Sequence, residues 1–91
     1  MNKRVTLQRT PKEDNTSGFE DLSPSQVWAY IQPLGAIGER LHQHKVVIRY
    51  HPEVTIDSRI VYGDRALYVR SVQNIDEENV SMELLCEEVA L

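Results

Sequence analysis

A single cysteine, Cys86, stands in this 91-residue chain, so no intrachain disulfide can hold it together. No run approaches the ~20 apolar residues that cross a bilayer. The first residues, MNKRVTLQR, lack the apolar stretch of a secretory signal. These absences predict synthesis in a reducing cytoplasm and no membrane partner. Grouped positive charge is also missing: the ten Lys and Arg are scattered and the net charge is −4. Nucleic-acid affinity comes largely from clustered cations that displace counterions. Tight DNA or RNA binding is therefore disfavoured, with room only for a local basic patch.

Catalytic signatures are absent too. There is no G-x-S-x-G, no P-loop and no Rossmann glycine pattern. His42, His44 and His51 are close in sequence, but H-x-H without a matching Cys, His or carboxylate pattern is a weak metal signal. They read as surface polar residues before and after a strand. Cys86 shares a face with Val80, Met82 and Leu84, which fits a buried, unreactive thiol rather than a nucleophile. Asp76, Glu77 and Glu78 are consecutive acids in a polar turn, a pattern that is normally solvated. No enzyme, metal or cofactor is expected.

Short alternating segments fill most of the chain. KRVTLQR (3–9) puts Val5 and Leu7 on one face. QVWAYIQPL (26–34) puts Trp28 and Tyr30 on one face and Val27, Ala29 and Ile31 on the other. Pro33 cannot donate to a ladder and marks a strand end, an edge or a bulge. KVVIRY (45–50) aligns Val46, Ile48 and Tyr50. RIVYGDRALYVRSV (59–72) is a hairpin with Gly63-Asp64 at a tight I′ or II′ turn. Val72 falls out of phase with Leu67 and Val69, and a bulge near Arg70-Ser71 restores it. VSMELLCEE (80–88) aligns Val80, Met82, Leu84 and Cys86. Residues 10–25 and 35–44 read as exposed loops, the latter with at most a short helical turn because Gly35 and Gly38 weaken a helix. The expected fold is all-β: one domain over 1–91, a small antiparallel barrel or compact sandwich of about six strands with long loops.

Trp28 and Tyr30 have two readings. Either they fill the core or cap the barrel end, which suits Trp28 better, or they anchor a protein interface, where such residues are enriched. For Tyr30 the two remain balanced.

In order, RVTLQR, a polar loop, VWAYIQPLG and HKVVIRYHPEVTIDSRIVYGDRALYVRSVQNIDEENVSMELLCEE resemble the phage head–tail joining family, also called head-tail adaptor, head-closure or stopper proteins. The resemblance covers nearly the whole chain. It departs at GAIGERLHQHK, where family members commonly carry a longer segment. It implies a small β-barrel that forms a ring under the portal, joins the head to the tail and helps retain packaged DNA. The implied partners are further copies of the chain, the portal or adaptor protein, and a tail or tail-terminator protein. DNA passes through the ring without sequence-specific binding, and the implied location is the head–tail interface of the virion. The resemblance brings no catalytic residues.

Residues expected to make contacts, from exposed loops or an outward face, are Phe19, Leu22, Tyr30, Ile37, Arg40 and Leu41. The rival expectation is an OB-like barrel binding single-stranded nucleic acid. In it Tyr50, Tyr62 and Tyr68 would stack bases and Arg49, Arg59 and Arg70 would approach phosphates.

Overall fold

A computed structural model describes residues 3–9, 19–38 and 41–89. Six strands form a closed antiparallel barrel: β1 (Lys3–Arg9), β2 (Glu20–Ile37), β3 (Leu41–Arg49), β4 (Ser58–Tyr62), β5 (Arg65–Asn74) and β6 (Ser81–Val89). Around the circuit the order is β1-β2-β3-β6-β5-β4, with β4 returning to β1. The only helical element among the described residues is a 3₁₀ turn, Ile75–Glu77. One end of the barrel carries the connection from β3 to β4 and the turn from β5 to β6. The other carries the β2–β3 and β4–β5 turns.

Period-two alternation explains the core. Val5, Leu7, Ala29, Val46, Ile48, Ile60, Leu67, Val69, Met82, Leu84 and Cys86 all point inward and are buried. Aliphatic side chains from every strand meet in the middle. Full burial of each Leu or Ile contributes about 1.5–3 kcal/mol before entropy is counted.

The β4–β5 turn has Gly63 at φ +64° while Asp64 keeps ordinary backbone, the II′ pattern. Arg70 is the bulge: Val69 pairs with Cys86 and Ser71 with Leu85, leaving Arg70 out of the ladder. Val72 thereby returns to pack against the core. Pro33 also sits beside a bulge, since Pro33 pairs with His44 and Gly35 with Gln43, so that Leu34 is extruded.

Four expectations need correction. The 10–25 loop ends early, because β2 begins at Glu20. Glu20 and Asp21 are both exposed, one paired with Arg9 and the other accepting from Gln8 Nε2, which lets polar sequence sit in a ladder. The described residues of 35–44 hold no helical turn. β2 runs on to Ile37 and β3 starts at Leu41, with Gly35 (φ +112°) serving the bulge and Gly38 (φ +72°) the turn. Val80 is exposed, because it precedes β6 and only its carbonyl is engaged, by the Tyr50 N–H. His44 and His51 are buried, not surface residues.

Candidate protein–protein interface

The inward aliphatic face of β2 forces its aromatics outward. Val27 and Ile31 pack on the core and Ala29 is buried within it, so Trp28 and Tyr30 lie on the outside, 52% and 47% exposed. The core reading of Trp28 is thus corrected: the interior is lined by aliphatics that leave the indole outside. Leu34, 48% exposed, continues the stripe. Three of the five large hydrophobics exposed among the described residues therefore lie on one strand, with Ile56 and Val80 elsewhere. Exposed large apolar side chains gathered on one strand in this way fit an interaction surface.

Cations frame it. Arg4, the register partner of Trp28, places its guanidinium 5.3 Å from the centroid of the indole ring. Lys45 and Arg49 occupy outward positions on the neighbouring β3. Among the described residues, none of these three cations has a carboxylate within ion-pair distance.

Beside Trp28 lies a groove of about 360 Å³, walled by Pro24, Val27, Trp28, Arg49, Tyr50, His51 and Pro52. His51 fixes its shape. Its Nε2–H donates to the Pro24 carbonyl at 3.1 Å, its Nδ1 accepts from the Glu53 N–H at 3.1 Å, and its backbone N–H reaches Met82 Sδ at 3.2 Å. The connection after β3 is thus tied to the opening segment of β2, and the groove exists before anything enters it.

A second polar cluster closes the opposite end. Arg65 grips Glu88 through Nε (2.8 Å) and Nη2 (2.7 Å), and His44 Nε2–H donates to the same carboxylate at 3.0 Å. The Arg65 hydrogen bond holds the Glu88 carboxyl below the usual glutamate range, and Glu88 in turn raises Arg65. His44 Nδ1 is buried and has no partner among the described residues. Neighbouring Cys86 is buried, which pushes its thiol up to about 12, so little reactive thiolate exists near neutral pH. No three His, Cys, Asp or Glu among the described residues are grouped to hold a metal.

The other expected contact residues scatter. Leu22 is buried in the core, since the early start of β2 turns it inward, and it offers no exposed contact. Phe19 is held down on the barrel: Arg59 stacks on its ring at 3.5 Å and Tyr68 lies at 6.3 Å. Leu41 opens β3, partly buried, opposite Ile37 and Val89. The Ile37 side chain and the whole of Arg40 lie outside the described residues.

Apart from Arg49, the aromatics and cations of the OB-like reading are otherwise engaged. Tyr50 and Tyr62 pack on the core, Tyr68 on Phe19. Arg59 is held by Phe19 and Gln8, and Arg70 pairs with Glu87 at 2.7 Å. The groove itself was not visible in sequence, because Pro24 and the 49–52 segment meet only through the His51 clasp. The outward face of β2 had a usable signal. Its Val27-Ala29-Ile31 face matches the inner faces of the other strands in composition.

A sealed aliphatic interior and a patterned exterior define a structural barrel that works through its surface. The particular family follows from comparison: the model of the phage head completion proteins matches residues 1–89, and the chain belongs to that family. The family is a structural, non-enzymatic one whose members act as connectors in phage heads and meet portal or adaptor and tail components. Among solved structures, a chain of the "Virion of native gene transfer agent (GTA) particle" has a similar fold. It is 18% identical, with a TM-score of 0.69, over 98% of this chain and 94% of that one. A search of curated proteins finds no match. No helix among the described residues is long and apolar enough to cross a membrane.

Proposed function

We propose that this head completion protein is a head-closure component. Copies form a ring that joins the portal or adaptor complex to the tail and helps keep packaged DNA inside the head. The observation that carries this reading is the exposed Trp28-Tyr30-Leu34 strip on a barrel with a filled interior. Such a molecule has contacts to offer and no chamber for chemistry. Rings arise from head-to-tail contacts whose rotation closes, and many weak copies together bind a partner ring strongly. Tyr30, Phe19, Ile37, Arg40 and Leu41 are the proposed contact residues, with Leu22 withdrawn. The chain's net charge of −4 suits a passage through which DNA slides, since a basic lining would hold the phosphates.

The test is electron microscopy of particles produced without the protein. Filled heads that lack tails and leak DNA are expected. Tailed particles that retain their DNA would overturn the reading.

A further inference from the structure

Trp28, the single tryptophan of the chain, stands between two cations. Arg4, its register partner on β1, lies over the indole ring. On the other side Ala29 pairs with Ile48, which sets the next residues, Trp28 and Arg49, beside each other. Arg4 and Arg49 are exposed, and neither has a carboxylate within ion-pair distance among the described residues. The groove next to them has an apolar lining of Pro24, Val27, Tyr50 and Pro52 together with the indole. The hydrogen bonds of His51 hold that lining in place, so binding has little left to order. Exposed Tyr30 continues the same side of β2, so contacts extend past the groove itself.

Such a lining fits an aliphatic or proline side chain, and the two guanidinium groups fit carboxylates on either side of it. A polyanion fits poorly. Glu83, opposite Val47, lies between Lys45 and Arg49. The exposed Glu77 and Glu78 border the same face, where the Tyr50 N–H meets the Val80 carbonyl at 3.0 Å. A run of phosphates crossing this face would meet those acids, whereas a short segment with one carboxylate at each arginine need not. A second copy of the chain also fits less well. Head-to-tail contacts between copies need two separate surfaces, and the groove and the acidic turn are parts of one.

We infer that the groove receives an extended segment of a neighbouring virion protein in which an aliphatic or proline side chain is flanked by carboxylates. The side chain seats against Trp28, and the carboxylates meet Arg4 and Arg49. The inference rests on the connector reading above and adds to it the chemistry of what the connector grips.

Fluorescence of the isolated protein tests it, because the lone indole reads the groove directly. The probe is the peptide acetyl-Glu-Leu-Pro-Glu-amide. The comparison probes are acetyl-Lys-Leu-Pro-Lys-amide, acetyl-Glu-Gly-Ser-Glu-amide and oligothymidine. A saturable change in Trp28 emission with the first peptide is expected, with an affinity about tenfold or more above that for the others. Since the net charge of the chain is −4, a preference for the acidic peptide has to come from the local cations. Arg49→Glu, at an exposed position, is expected to remove that preference. No saturable change, equal or tighter binding of any comparison probe, or an unchanged preference in Arg49→Glu overturns the inference. So does emission that shifts with protein concentration alone while dimers appear in sedimentation, which puts a second copy in the groove. Each of these results leaves the ring reading standing, because that reading falls only if particles made without the protein keep their tails and their DNA.

Discussion

His51 donates a hydrogen bond from Nε2 to the backbone carbonyl of Pro24, 27 positions earlier in the chain, at 3.1 Å. The other ring nitrogen accepts from the Glu53 N–H. One buried side chain thus satisfies a carbonyl and an amide from two separate segments, and the neutral imidazole with its proton on Nε2 is the form that serves both. The groove beside Trp28 depends on this bond for its shape.

Replacing His51 by Ala should therefore cost about 2–3 kcal/mol, because it strands two backbone groups and removes buried volume. Urea unfolding measures it. A loss below about 0.5 kcal/mol would show that water or local rearrangement takes over the clasp.

Leu84 and Val80 give a paired test of the inner face. Leu84 is completely buried, whereas Val80 is 62% exposed. Leu84→Ala should cost about 2–5 kcal/mol, and Val80→Ala no more than about 0.5 kcal/mol. Equal losses at the two sites would mean that β6 is turned over or displaced along its neighbours.

Glu88 sets an acid limit. Its carboxyl is held below the ordinary glutamate value, first by the Arg65 hydrogen bond, so the unfolded chain takes up the proton more readily than the folded one. The resulting stabilisation is fully present above the ordinary value of about 4.5 and is lost as pH falls through the lower folded value. Thermal melting from pH 7 to pH 3 should therefore show a smaller drop in Tm for Glu88→Gln than for the unaltered protein. An identical drop in both would remove Glu88 from the acid response.

Legibility in the sequence followed locality. The Gly63-Asp64 turn and the bulge at Arg70 were readable because each is set by a few adjacent residues: a glycine that accepts positive φ, and a Val72 out of step with Val69. The inner faces of β1 and β3, and that of β5 as far as Val69, followed from strict alternation. The start of β2 was hidden because EDLSPSQ has turn composition; it becomes strand only when Arg9 and Gln8 of β1 pair with Glu20 and Asp21. Tertiary pairing overrode local preference there. The burial of His44 and His51 was equally illegible, since their partners, Glu88 and Pro24, are 44 and 27 positions away. Leu22 was misplaced for the same reason as the strand that carries it.

The bulge at Leu34 has one more effect. Beyond Ala29, no described residue of β1 pairs with β2, so among the described residues this stretch of strand is paired on its β3 side alone. Pro33 has no N–H to offer, and the extruded Leu34 breaks the regular spacing a visiting strand would have to match. Barrels crowded side by side are thereby kept from stitching their backbones into one continuous sheet. Each molecule stays a separable unit, able to be seated or exchanged by side-chain contact alone.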